Sequence, residues 1–176
     1  FGPLEYTYSF NEIEGSRIRL GGRTTELLSN KFFFEGYTAY GTKDHKLKYY
    51  LNVAHTLNGQ SIVQFPAHYL SATVQHDVME PGRSLGYLKG DGFFQSFRRN
   101  KPTKWLWNDI YRLDHLIEFG NHFSVKTTLT RHERKAAGDL SFVTSNASPD
   151  TIPGINTNDV QLTLRWAPGE QFYYRN

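Results

Sequence analysis

The feature that most constrains this chain is alternation, cleanest over residues 122–131, where Phe123, Val125, Thr127 and Leu129 interleave with His122, Ser124, Lys126, Thr128 and Thr130. A period of two belongs to a strand, whose successive side chains point to opposite faces; a helix would repeat about every 3.6 residues. The same period runs through residues 16–22. It returns at 31–41, with Phe33, Tyr37 and Ala39 on one face and Phe32, Phe34, Gly36, Thr38 and Tyr40 on the other. At 47–57, Tyr49, Leu51, Val53 and Leu57 oppose Lys48, Asn52 and Thr56, with Tyr50 and Ala54 softening the polar side. At 65–76, His68, Leu70, Ala72 and Val74 oppose Tyr69, Ser71, Thr73 and Gln75, and near the end Val160, Leu162, Leu164 and Trp166 oppose Gln161, Thr163 and Arg165.

Turn signals separate these runs. Residues 42–46 are a charged turn that makes a hairpin of its flanking runs, and Asn58-Gly59 is the strongest local turn signal because both residues tolerate positive φ. Residues 77–104 read as a long loop or as tilted hairpins with short strands at 84–88 and 93–97. In residues 105–119 a helix competes, and a strand from about Tyr111 to Phe119 is the better reading. Residues 138–143 are expected to pair with 122–131, and 144–158 to form a loop. The inventory is roughly eight to ten extended segments and almost no helix, hence an all-β, antiparallel meander. Both ends of the sequence read as interrupted strands, so the expected unit is one partial barrel domain over 1–176 that continues beyond one or both ends.

The faces are asymmetric, one apolar and the other carrying hydroxyls, amides and charge. A water-filled exterior would turn the apolar face inward and an outer-membrane barrel would turn it outward to lipid; period two alone does not separate them. The 15% aromatic content bears on this. Phe32, Phe33, Phe34, Tyr37, Tyr49, Tyr50, Trp105, Trp107, Tyr173 and Tyr174 fall mainly near strand ends, as interfacial girdles would, although aromatics also favour strands generally. No apolar run reaches the length of a spanning helix, about 18 residues. A net charge of +3 is too mild to imply nucleic acid, and the absence of Cys removes disulfides and thiolate chemistry.

Residues 8–25, followed by 34–44 and Lys48-Tyr49, resemble the Bacteroidota outer-membrane family that joins a carboxypeptidase-like regulatory domain to a barrel region, domain of unknown function 5686. Residues 129–133 and 162–168 resemble later segments of that region. The resemblance implies part of a transmembrane outer-membrane β-barrel, located in the cell outer membrane, with outer-membrane lipid and other outer-membrane proteins as partners and no nucleic acid.

Candidate residues follow from the residues themselves. Asn11, Glu12, Glu14 and Gly15 lie between two strands, where Gly permits a tight turn and Asn bonds its own backbone. Gly21, Gly22, Gly36 and Gly41 allow sharp curvature or close packing. Arg17, Arg19 and Arg23, with Glu12, Glu14 and Glu35 nearby, can form a lumenal charge network or a solvated hairpin face, and Asp44 lies in the second resembling block.

Catalytic and metal signals are weak. His68 and His76 share a parity but are about 26 Å apart on an extended strand. His76-Asp77, Asp114-His115 and His132-Glu133 place acid beside imidazole on opposite faces. A Ser71, His76, Asp77 arrangement lacks a nucleophile-elbow sequence, Lys89-Gly-Asp-Gly92 is a turn rather than a phosphate loop, and the basic cluster 98–101 with Lys104 suits headgroups or an acidic partner. The expectation is therefore a non-enzymatic outer-membrane barrel component with a scaffold, channel or substrate-handling role, without catalytic, metal or cofactor residues. The alternatives are a soluble all-β module with an aromatic-lined face for a glycan, lipid or peptide, and a membrane esterase or phospholipase.

Overall fold

A computed structural model describes residues 7–25, 28–82, 103–145 and 150–170. Ten strands follow one another: β1 (Tyr8–Asn11), β2 (Gly15–Arg23), β3 (Phe32–Gly41), β4 (Leu47–Thr56), β5 (His68–Met79), β6 (Lys104–Glu118), β7 (Phe123–Gly138), β8 (Phe142–Val143), β9 (Thr151–Ile152) and β10 (Gly154–Trp166). Eight of them form one antiparallel sheet in the order β1-β2-β3-β4-β5-β6-β7-β10, and β8 pairs with β9 separately.

The all-β, antiparallel, sequential order stands, but the sheet is open. A barrel requires its last strand to bond its first, whereas among the described residues β1 pairs with β2 and β10 with β7, and neither pairs with the other. The expected transmembrane barrel is corrected accordingly. So is the outer-membrane placement with its role as a membrane barrel component. Hydrocarbon offers no partner for backbone N–H and C=O groups, so spanning sheets are closed barrels, and among the described residues this sheet does not close: β10 pairs with β7 alone.

The sheet is nevertheless curled. On a flat sheet the three ladder steps from β2 to β5 cover about 14 Å, yet the Arg17 guanidinium of β2 lies 2.8 Å from both carboxylate oxygens of Asp77 on β5. Tyr37 on β3 donates its hydroxyl to the same carboxylate at 2.5 Å. Curling toward this face shields its polar side chains and splays the other face outward. Glu14 and Lys48 are thus fully buried, while Leu20, Leu162, Leu164 and Trp166 are exposed.

Glycine permits the approach. A Cβ at Gly21 would lie 2.6 Å from both the Gly36 carbonyl and the Tyr37 Cβ, and one at Gly36 would lie 2.7 Å from the Tyr50 carbonyl. Gly22, by contrast, has open space around it.

Three element boundaries differ from expectation. β6 begins at Lys104, so residues 105–110, where a helix competed, are strand; pairing with both β5 and β7 outweighs a mixed local pattern. β7 itself runs on to Gly138, and Phe142–Val143 pairs with Thr151–Ile152 rather than with β7. β10 also starts earlier than expected, at Gly154, inside the presumed loop. The expected short strands at 84–88 and 93–97, the turn at 89–92, the basic cluster at 98–101 and the final aromatic pair lie outside the described residues.

Candidate functional site on the polar face

Alternation places Arg17, Arg19, Glu35, Tyr37, Lys48, Tyr50, Asn52, Ser71, Thr73, Asp77, Arg112 and Asp114 on one face. Two clusters form there.

The first is a charge network at the β1–β5 end. The tight turn after β1 is set by Asn11, whose Oδ1 accepts the amides of Ile13 and Glu14 at 3.1 and 2.8 Å, and by Gly15 at φ +70°. This aims Glu14 into the network. Its carboxylate receives Asn11 Nδ2 at 2.6 Å and Arg17 Nη1 at 3.0 Å and pairs in charge with Lys48 Nζ at 2.8 Å. Lys48 also meets Asp44 at 2.6 Å, and Arg17 holds Asp77 through two parallel bonds, the planar fork matching the carboxylate. Arg19 lies over the Tyr37 ring, 3.6 Å from its centroid. The acids Glu14, Asp44 and Asp77 thereby balance the bases Arg17, Arg19 and Lys48, the condition under which buried charges are tolerated.

Burial alone would lower the Arg17 pKa, but the Asp77 and Glu14 carboxylates outweigh it and hold the guanidinium charged. Burial, then the Asp77 charge, pushes the Tyr37 hydroxyl well above its ordinary value, so it remains a donor.

The expected site residues separate within this geometry. Asn11, Glu14, Arg17 and Asp44 join the network, and Gly41 packs beside it, where a Cβ would come within 2.7 Å of Lys48 Nζ. Glu12 contributes its backbone carbonyl to Lys43, Arg23 is exposed, and Glu35 belongs to the second cluster. Sequence marks Lys48 as a polar-face residue and part of a resembling block, and Asp77 as the neighbour of His76 and a member of the Ser71, His76, Asp77 arrangement, but joins neither to Arg17 or Glu14; a contact between strands three apart has no local signal.

The second cluster is a cleft on β3–β6 of about 220 Å³, lined by Phe33, Tyr50, Asn52, Ala54, Ile62, Tyr69, Ser71, Thr73, Arg112 and Asp114. Asn52 Oδ1 accepts the hydroxyls of Ser71 at 2.7 Å and Thr73 at 3.3 Å. Tyr50 donates to Glu35 at 2.9 Å. Asp114 accepts hydrogen bonds from Thr128 at 2.6 Å and Arg112 Nη2 at 3.0 Å and lies 3.3 Å from Lys126 Nζ. Burial raises the Asp114 pKa, but these donors, led by Arg112 and Thr128, more than reverse it and keep the carboxylate ionised. Burial and the Asp114 charge raise the Tyr69 hydroxyl, and burial with Glu35 raises that of Tyr50. The cleft thus offers neutral phenols, an amide, two hydroxyls and a held guanidinium.

The histidines follow strand geometry. His76 lies on the apolar face, opposite Ser71 and Asp77, so the arrangement of those three residues is split by the period of two. Its carboxylate partner is Asp109, directly across the ladder, with Tyr49 and Trp107 stacked at 5.7 and 5.5 Å. His68 meets His115 at 3.2 Å. The aromatics divide between the faces: Tyr37 and Tyr50 stack at 5.6 Å on the polar face, whereas Phe32 and Phe34 are exposed on the other.

No family model, curated protein or solved structure matches the chain.

Proposed function

We propose that this chain is a ligand-binding β-sheet module whose polar-face cleft takes a small polyhydroxylated ligand of single-sugar size. The observation that carries this is the convergence of Asn52, Ser71, Thr73 and Arg112 with the rings of Tyr50 and Tyr69 around one cavity. Sugars combine a ring face that suits aromatic contact with hydroxyls that both donate and accept. The cleft supplies both kinds of partner.

Its volume is below the roughly 300–1,000 Å³ of drug-sized sites, which limits the occupant. A ligand of about a dozen non-hydrogen atoms at roughly 0.3 kcal/mol each gives about 4 kcal/mol, a dissociation constant on the order of 1 mM.

Titrating the folded chain with neutral monosaccharides, followed by NMR amide shifts, tests the proposal. Saturable shifts at residues 50–54, 69–73 and 112–114 are expected, weakened about tenfold by Asn52→Ala or Tyr69→Ala, by loss of roughly 1.4 kcal/mol, and unchanged by Leu20→Thr on the opposite face. Absence of saturable shifts for every sugar in the panel contradicts it.

A further inference from the structure

The structure assigns a second function to the outer edge of β10, which has no partner strand among the described residues, and this function does not rest on the cleft: we propose that the edge pairs with β10 of a second copy of this chain, antiparallel, about a twofold axis at Leu162.

The edge is built for pairing. Natural edge strands are shortened, bulged or studded with Lys and Pro to prevent association. β10 is 13 residues long, contains neither Lys nor Pro, and keeps an unbroken register against β7. The Ala167 amide donates to the His122 carbonyl at 3.1 Å. Alternation along the ladder therefore turns odd-numbered backbone groups toward β7 and those of Asn158, Val160, Leu162, Leu164 and Trp166 outward. The opposite edge of the sheet, β1, has four residues.

Charge selects both occupant and register. The charged residues of β10 are Asp159 and Arg165, on the same face, three positions either side of Leu162. Pairing two copies about Leu162 sets Asp159 opposite Arg165 twice, Gln161 opposite Thr163, Val160 opposite Leu164 and Leu162 opposite itself. Centring on Val160 instead sets Asp159 opposite Gln161, and centring on Leu164 sets Arg165 opposite Thr163, so both alternatives lose the ion pairs. The strand is self-complementary in one register, as an isologous interface demands. Val160, Leu162 and Leu164, at 79%, 63% and 61% exposure, would gain cross-strand neighbours. Arg165 now holds Glu170 at 2.5 Å on the surface, a contact that a directly opposed carboxylate would share or replace.

Sedimentation equilibrium of the full chain, with circular dichroism confirming strand content, tests this. The unaltered chain is expected to dimerise. Asp159→Arg and Arg165→Asp each place like charges opposite one another and should weaken the dimer about tenfold. Mixing the two single variants aligns Arg with Asp at both pairs and should restore a dimer, even though the Arg165–Glu170 contact is lost in one partner. Leu162→Pro removes an outward amide without touching the β7 ladder and should abolish pairing. A chain that remains monomeric throughout, or a dimer indifferent to the charge reversals and to their mixing, overturns the proposal.

Discussion

At the scale of single residues, buried charge dominates. Lys48 is fully enclosed between Glu14 and Asp44, so Lys48→Met leaves Asp44 without its cation and Glu14 with Arg17 alone, and should cost about 3–5 kcal/mol. The double variant Lys48→Met with Glu14→Gln removes charge of both signs, and should be more stable than the sum of the single effects by about 1–3 kcal/mol; additive urea midpoints would contradict the coupling.

His132 gives a pH prediction. Its Nε2 lies 2.8 Å from Asn108 Oδ1, while Arg134 donates to Nδ1 at 2.7 Å, an arrangement that requires the neutral ring. Burial, followed by the Arg134 charge, lowers its pKa below the ordinary 6.5. A depressed folded-state pKa contributes stability that is present above the unfolded value and lost as pH falls below 6.5 toward the folded one. His132→Gln should therefore flatten the decline in melting temperature between about pH 7 and pH 5. An unchanged pH slope would contradict that assignment.

At the scale of elements, the strands whose alternation is clean are legible from sequence: β2, β3, β4, β5 as far as His76, the first half of β7 and β10 from Val160 to Trp166. The beginning of β6 was not, because Trp105-Leu-Trp-Asn-Asp-Ile mixes sizes and polarity without period, and its extended form is imposed by two flanking ladders. Residues 154–158 were concealed by Gly and Asn, which ordinarily mark loops, yet they pair with β7 from Lys135 to Arg131. Faces were legible where strands were: Ser71, Thr73 and Gln75 share the parity that their composition suggested. The partnership of Arg17 with Asp77 was not, since a contact across 60 positions depends on curl rather than on local pattern.

At the scale of the whole molecule, one physical theme links the cleft, the ion network and the outer edge of β10: the sheet curls around its polar face and, among the described residues, stops short of closure. Alternation established two unlike faces but carried no information on whether the first and last strands meet, which is why a closed barrel was a natural expectation and an open sheet the outcome. Openness leaves the cleft accessible to a ligand and leaves the long β10 edge without a second partner strand among the described residues.

Amide hydrogen exchange along β10 tests that openness most directly, measured on the Asp159→Arg variant so that pairing between copies is suppressed. In an open sheet the amides of Gln161, Thr163 and Arg165, bonded to β7, exchange slowly, while those of Val160, Leu162 and Leu164 exchange rapidly. Slow exchange at all six positions in a protein shown to be monomeric would mean that the edge is paired within one chain, and would contradict the open sheet.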